Sequence, residues 1–286
     1  MASNSSNSAA VLRDGPSAGR VRRFAEGTLA VAVWIAIGIA FHLSANAYLL
    51  VGVPITIVFQ RYVRRAPLLA VWVRTAPRFH LGIGGLAIAI LLTVTPSIGL
   101  VQAIGSRLDA ADAGWMIAAM AGAWGAAYAL RNFSSEAFRE LLICLVTAGV
   151  AGCAIMIGFA FLNGAPHSPA WPNVRRGLLL FAQYVPVTFV LEEVWFRGVL
   201  DSHLHHPGEP RGILSAAYGS ALWGVWHYPT IGPQENLEDL FFYLGSYLLV
   251  SVIIGTLLVR AWRRSGNLLV SGVVHALIDA FGIAIS

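Results

Sequence analysis

Long apolar runs alternate with short polar connections along most of this chain, and the connections are punctuated by Pro, Gly and Asn. The runs cover residues 28–43, 47–59, 81–104, 113–130, 141–162, 177–194, 213–226, 240–259 and 268–285. A helix that is apolar around its whole circumference belongs inside protein or lipid, and a spanning helix needs roughly 20 such residues, with a range of about 17 to 25. Most of the runs fit that length, while 47–59 is short and 213–226 must borrow flanking residues. The pattern predicts an all-α, polytopic membrane protein with eight or nine transmembrane helices.

Residues 1–20, MASNSSNSAAVLRDGPSAGR, lack a helical apolar stripe and are rich in Ser, Ala, Asn and Gly. They predict a disordered cytoplasmic tail, taken as 1–23, ahead of a single transmembrane domain over 24–286. The first apolar run starts late and is not followed by a small-residue cleavage site, which argues against a secretory signal peptide.

Composition agrees with the pattern. Hydrophobic residues make up 57% and charged residues 12%, more apolar surface than one soluble core of 286 residues buries. All 19 basic residues are arginine, and the net charge is +5. With nine spans and the N-terminus inside, and Arg197 set aside, 15 arginines fall in inner segments and 3 (Arg107, Arg175 and Arg176) in outer loops. That asymmetry is the positive-inside bias, and it sets an N-in, C-out topology if 47–59 crosses. Basicity therefore reads as topology, which argues against a nucleic-acid partner and for the bilayer. The absence of lysine and the simple domain plan point to a bacterial inner membrane. The arginine-rich connection 60–78 reads as an interfacial helix with Trp72 at headgroup depth. Cys144 and Cys153 show no metal-ligand or redox spacing, so packing without a disulfide is expected.

Ionisable groups within apolar runs cost about 2.5 to 3.5 kcal/mol each at a helix centre, so a chain that keeps several must pair them or use them. The first half, notably 81–162, is nearly free of them. The second half holds Glu192, Glu193, Arg197, His227, His275 and Asp279. In LEEVWFR, Glu193 and Arg197 are four apart and share a helical face, whereas Glu192 points elsewhere without a partner in its own helix. His227 closes the run ALWGVWHYP. Taken alone it reads as an interfacial or packing residue, as do Trp223 and Trp226. His275 and Asp279 are again four apart, a spacing that lets the carboxylate hold the imidazole. A purely structural buried pair is the competing reading.

Read together, three helices supply what a hydrolase needs. Glu192 suits a general base toward water, and His227 suits sharing that water or carrying its proton to a leaving amine. His275 and Asp279 suit an oxyanion site, with Asp279 donating only when protonated. Glu193 with Arg197 suits a brace. His203, His205 and His206 lie in DSHLHHPGEP, which reads as a solvated loop, and Glu235, Glu238 and Asp239 read as a solvated acidic face.

With these residues in view, 177–285 resembles the catalytic core of the CAAX-protease and bacteriocin-processing family of intramembrane proteases (CPBP, or Abi), which includes the type II CAAX prenyl endopeptidase. The family pattern is E-E-x-x-x-R, then F-x-x-x-H, then H-x-x-x-N/D. Here it reads Glu192-Glu193 to Arg197, Trp223 to His227, and His275 to Asp279. The resemblance implies a buried polar catalytic cavity, water activation by Glu192 and His227, an oxyanion site at His275 with Asp279, and a membrane-associated protein or peptide as substrate. Trp223 replaces the usual Phe, and Asp279 stands where the CAAX endopeptidases carry Asn. Two histidines and a glutamate are an acceptable zinc set, but no H-E-x-x-H is present and no cofactor is expected. An ion-coupled transporter and a non-catalytic scaffold or immunity protein are the other classes that the buried charges allow.

Overall fold

A computed structural model describes residues 16–104, 110–162, 171–205, 212–231 and 236–285. Their regular elements are all helices, with no strand among the described residues beyond a single β-bridge between Val73 and Asn267. All nine apolar runs lie on helices or run to within a few residues of their ends. Helix α1 is Pro16–Ala40, α2 Ala45–Val58, α3 Gly82–Ile104 and α4 Ala110–Arg131. Helix α5, Ser135–Cys144, runs through a π-helical turn into α6, Val150–Leu162. After α7, Trp171–Thr188, come a π-helix over Val194–Asp201 and the one-turn α8, Ser202–Leu204. Helices α9, Ile213–Trp226, α10, Leu237–Ser265, and α11, Leu268–Ile285, complete the chain.

Local chemistry explains the boundaries. Ser44 and Ser134 accept the backbone N–H groups of Ala47 and Ala137 at the starts of α2 and α5, and Asn236 accepts that of Asp239 at the start of α10. Gly266, at φ 62°, takes the left-handed conformation that ends α10 and lets α11 start two residues later. The tail expected over 1–23 is helical from Pro16 onward, and residues 1–15 lie outside the described residues. Arg22 bonds Glu26 at 2.8 Å and Arg20 lies 5.5 Å from the centroid of Phe24, so contacts one turn apart support the segment.

Among the described residues, five helices are long and apolar enough to cross a bilayer: Gly19–Ala40, Ala110–Arg131, Ser135–Phe161, Leu237–Ser265 and Leu268–Ile285. Gly82–Ile98 is a shorter apolar helix. At 14 residues, α9 reaches about 21 Å, short of the roughly 30 Å hydrocarbon core, whereas α2 continues without a break into the π-helical turn Phe59–Val63. Large side chains such as Ile83, Leu91, Val146, Leu178 and Phe241 lie exposed, as lipid-facing positions do. This is a multi-pass membrane protein.

Helix α9 lies against α10 closely because glycine permits it. A Cβ on Gly224 would sit 2.7 Å from the Leu248 Cα, and one on Gly255 would meet the Ser220 side chain. An aromatic cluster fills the space between α1, α2, α9 and the π-helix. The Trp34 ring lies 5.1 Å from Trp226 and 5.9 Å from Trp195, and Tyr48 stacks on Trp226. Two of the polar tips are satisfied, Trp34 Nε1 donating to the Tyr48 carbonyl and the Tyr48 hydroxyl to the Trp226 carbonyl, both at 2.8 Å, while the indole N–H groups of Trp195 and Trp226 are buried without an acceptor.

The connection 60–78 is not an interfacial helix. It contains a π-helical turn, Phe59–Val63, and a 3₁₀ turn, Leu68–Val71, and otherwise runs irregularly beneath the second half of the chain. Two of its arginines, Arg64 and Arg74, reach backbone carbonyls. Arg74 donates to Arg263 and Trp262, and Arg64 donates to Gly198 at 3.0 Å and Ser202 at 3.4 Å. Burial pulls the Arg64 guanidinium down to about 10, and the carboxylate of Asp201 works in the opposite direction.

Candidate active site

The first motif sits on a break followed by an unusual helix. Pro186 has no N–H to give the ladder, and α7 ends at Thr188. The Thr188 hydroxyl turns back to the Val185 carbonyl at 2.8 Å, and the Phe189 carbonyl freed at the break accepts Trp72 Nε1 at 2.7 Å. Trp72, expected at headgroup depth, is thus a clamp on the segment before the two glutamates. Beyond Glu193 the chain winds as a π-helix, Val194–Asp201, and every residue of that element is buried. Such wide turns recur at functional sites. Gly198 lets the π-helix touch the 3₁₀ turn Leu68–Val71 of the connection 60–78, since a Cβ there would lie 2.5 Å from the Val71 carbonyl oxygen.

The two glutamates face different partners, as their helical positions predict. Glu193 is fully buried; its Oε1 lies 2.9 Å from Arg197 Nη1 and 3.0 Å from His275 Nδ1. The Arg197 contact is Coulombic, because none of its N–H groups is aligned for a hydrogen bond. The guanidinium instead lies 4.3 Å from the centroid of the Trp223 ring, a desolvated cation–π contact. Glu192 is half-buried and accepts Trp223 Nε1 at 3.0 Å.

Trp223 therefore does more than form an aromatic wall. Its face carries Arg197, its N–H holds Glu192, and its carbonyl accepts His227 Nδ1 at 2.8 Å. A carbonyl only accepts, so Nδ1 carries the proton and the neutral ring keeps its lone pair on Nε2. The His227 ring is sandwiched, stacked on Tyr247 at 4.9 Å and edge-on to Trp226 at 5.0 Å.

Glu192, His227 and Asp279 line one cavity of about 460 Å³, a volume in the range of small-ligand sites. Tyr184, Tyr247 and Asn46 also face it, with Leu49, Trp115 and Met156 among its apolar walls. Asp279 lies within electrostatic range of both Glu192 and His227. His275 does not line the cavity. It is buried behind it, with Nδ1 on Glu193 and Nε2 3.4 Å from Asp279 Oδ2. The aligned hydrogen bond of His275 is thus to Glu193, and the contact with Asp279 four residues on is longer.

Two other expectations change. Asn46, Leu49, Trp115 and Met156 come from the half of the chain read as chemically quiet, so the cavity is shared between both halves. The stretch 201–205 is not a solvated loop. Asp201 is buried under Arg263, which pairs with it at 2.5 Å, and His203 Nε2 bonds Glu26 at 2.9 Å while its ring meets the Phe59 edge. His206 lies outside the described residues, as does Glu235. Glu238 and Asp239 sit in the first turn of α10, where acidic side chains suit the helix dipole. Both cysteines are free.

The side chains do not fit a zinc site built from two histidines and a glutamate. His275 would be one ligand, but both its ring nitrogens already face carboxylates, and among the described residues no group of three or more His, Cys, Asp or Glu is arranged to hold a metal.

Residues 174–281, from the first turns of α7 into α11, match the family described as Type II CAAX prenyl endopeptidase Rce1-like. The match contains all six motif residues. No curated protein and no solved structure matches the chain.

Proposed function

Because residues 174–281 belong to the Rce1-like family of type II CAAX prenyl endopeptidases, we propose that this multi-pass membrane protein is an intramembrane peptidase in which Glu192 and His227 activate water. The observation that supports this most is the meeting of Glu192, His227 and Asp279, from three separate segments, on one cavity. Trp223 holds one oxygen of Glu192 and fixes the tautomer of His227, which gives the pair a set geometry before substrate arrives.

In the reaction, a water bonded to Glu192 and to His227 Nε2 attacks the carbonyl carbon of a peptide bond. Glu192 takes one water proton as the C–O bond forms. Collapse of the tetrahedral intermediate breaks the C–N bond, and that proton passes to the leaving nitrogen directly or through His227. Glu193, Arg197 and His275 do not touch the cavity and act as positioning residues. Their ion pair holds the π-helix, and His275 sets the orientation of Asp279. The substrate is a membrane-associated protein or peptide whose scissile bond reaches the cavity from the bilayer surface, and a lipidated C-terminal tail is the form that the family suggests.

The purified protein, reconstituted in phospholipid vesicles, is expected to cleave an internally quenched peptide carrying a farnesylated CaaX-type C-terminus. Cleavage is expected to survive a strong zinc chelator at full rate, in keeping with the commitments of His275. Loss of activity with chelator and recovery on adding zinc would overturn the metal-free mechanism. An intact peptide after prolonged incubation would count against the peptidase assignment for this substrate class.

A further inference from the structure

The hydrolysis proposed above develops negative charge on the carbonyl oxygen of the scissile bond, and that charge needs a donor that is in place and protonated. The residues at the motif positions supply this poorly. His275 has Nδ1 on Glu193 and Nε2 toward Asp279, and it lies behind the cavity wall. Asp279 donates only as the neutral acid. His227 has already given its Nδ1–H to the Trp223 carbonyl. The Thr188 hydroxyl is committed to the Val185 carbonyl.

Asn46 is different. It lines the cavity from the first turn of α2, and its Nδ2 donates to Asp112 Oδ1 of α4 at 2.7 Å. A carboxylate accepts and does not donate, so the amide must turn its nitrogen toward Asp112, and the assignment of N and O is settled by chemistry. With one N–H held there, the plane of the amide is set and a second N–H remains available. Tyr184 and Tyr247 also line the cavity, but a phenolic O–H turns freely about its C–O bond, whereas the plane of the Asn46 amide is held by Asp112.

We propose that Asn46 is the fixed, neutral hydrogen-bond donor to the developing oxyanion of this reaction, and that Asp112 is the positioning residue that orients it. The donor role is thereby carried from α2 into a cavity whose last motif ends in Asp rather than an amide. The N-terminal end of α2, whose Ala45 also lines the cavity, adds a favourable potential for negative charge without being needed for the assignment. This inference rests on the peptidase reading.

The test uses the full-length protein in vesicles and the farnesylated, internally quenched peptide. Asn46→Ala is expected to lower kcat by about 10²-fold or more while KM stays within about threefold, since the donor acts on the transition state. Asp112→Ala is expected to lower kcat by about tenfold. The double variant is expected to be no slower than Asn46→Ala alone, because the two residues act through one bond. A phosphinate analogue of the peptide, which mimics the tetrahedral intermediate, is expected to lose affinity for Asn46→Ala by the same factor as kcat/KM, while affinity for the cleaved product is unchanged. A structural defect would weaken both ligands together, and that result would overturn the proposal. So would wild-type kcat in Asn46→Ala. If instead Glu192→Gln cleaved as fast as the wild type, the peptidase reading itself would fail, and this inference with it.

Discussion

Glu192→Gln is expected to lower kcat on the farnesylated peptide by about 10²- to 10⁴-fold with little change in KM, the usual worth of a positioned general base. Glutamine is the informative replacement because its side-chain carbonyl can still accept Trp223 Nε1, so the 3.0 Å contact that orients the side chain survives. What is removed is the capacity to take a proton from water. His227→Gln is expected to fall by a similar factor, since Nε2 is its free lone pair and the ring is held on both faces by Tyr247 and Trp226. The double variant is expected to be little worse than either single one, because two groups that share one water act as a unit. A rate for Glu192→Gln within threefold of the wild type would remove the role assigned here.

Arg197→Met is expected to have the largest effect on stability, a loss of about 3 to 5 kcal/mol seen as a lower unfolding temperature in detergent. Arg197 is 1% exposed, and Glu193, its partner at 2.9 Å, is fully buried. Removing the arginine leaves a carboxylate in an apolar interior with the His275 ring and the Ser271 hydroxyl to offset it. The guanidinium gains little from hydrogen bonds, because none of its N–H groups is aligned with an acceptor. Its stabilisation comes from charge and from the face of Trp223 at 4.3 Å. Two consequences distinguish this account from simple loss of packing. Arg197→Lys is expected to restore only part of the stability, because a compact ammonium does not reproduce the planar contact with the indole. Glu193→Leu combined with Arg197→Met is expected to be more stable than Arg197→Met alone, since the orphaned charge goes with the pair.

Much of the helical plan was legible in the sequence. Runs 213–226 and 268–285 coincide with α9 and α11, because strong local signals stop the chain at both. Gly212 and Gly266 adopt positive φ next to their helices, and Pro229 follows α9. The i,i+4 spacing of Glu193 and Arg197 also carried through to contact despite the wide turns of the π-helix. The number of spans was less legible, because hydropathy counts apolar residues and does not see where a helix stops. Helix α9 reads as apolar but has only 14 residues.

Several contacts that join residues far apart in the chain escaped. Trp72 looks like an interfacial aromatic until its N–H meets the carbonyl of Phe189, 117 residues away. Arg64 looks like a topology signal until it reaches Gly198, 134 residues away. Trp223 was readable as an aromatic, but its indole N–H, the one feature that a Phe at that position lacks, was the clue to a bond with Glu192. Asn46 gave no signal of its own, since a polar residue in the first turn of a helix is ordinary; only Asp112 across the fold makes it distinctive. In a bundle, residues of one apolar run share a face by periodicity, but which runs face each other is decided by side-chain fit such as Gly224 against Leu248.

The most direct test of the central claim is cleavage in H₂¹⁸O. Wild-type protein in vesicles is incubated with the farnesylated peptide under single-turnover conditions, and the products are weighed by mass spectrometry. The account predicts one ¹⁸O atom in the new C-terminal carboxyl group of the amino-side product, formed at a rate that collapses in Glu192→Gln. Intact peptide with wild-type protein, or labelled product formed equally fast by the variant, would contradict it.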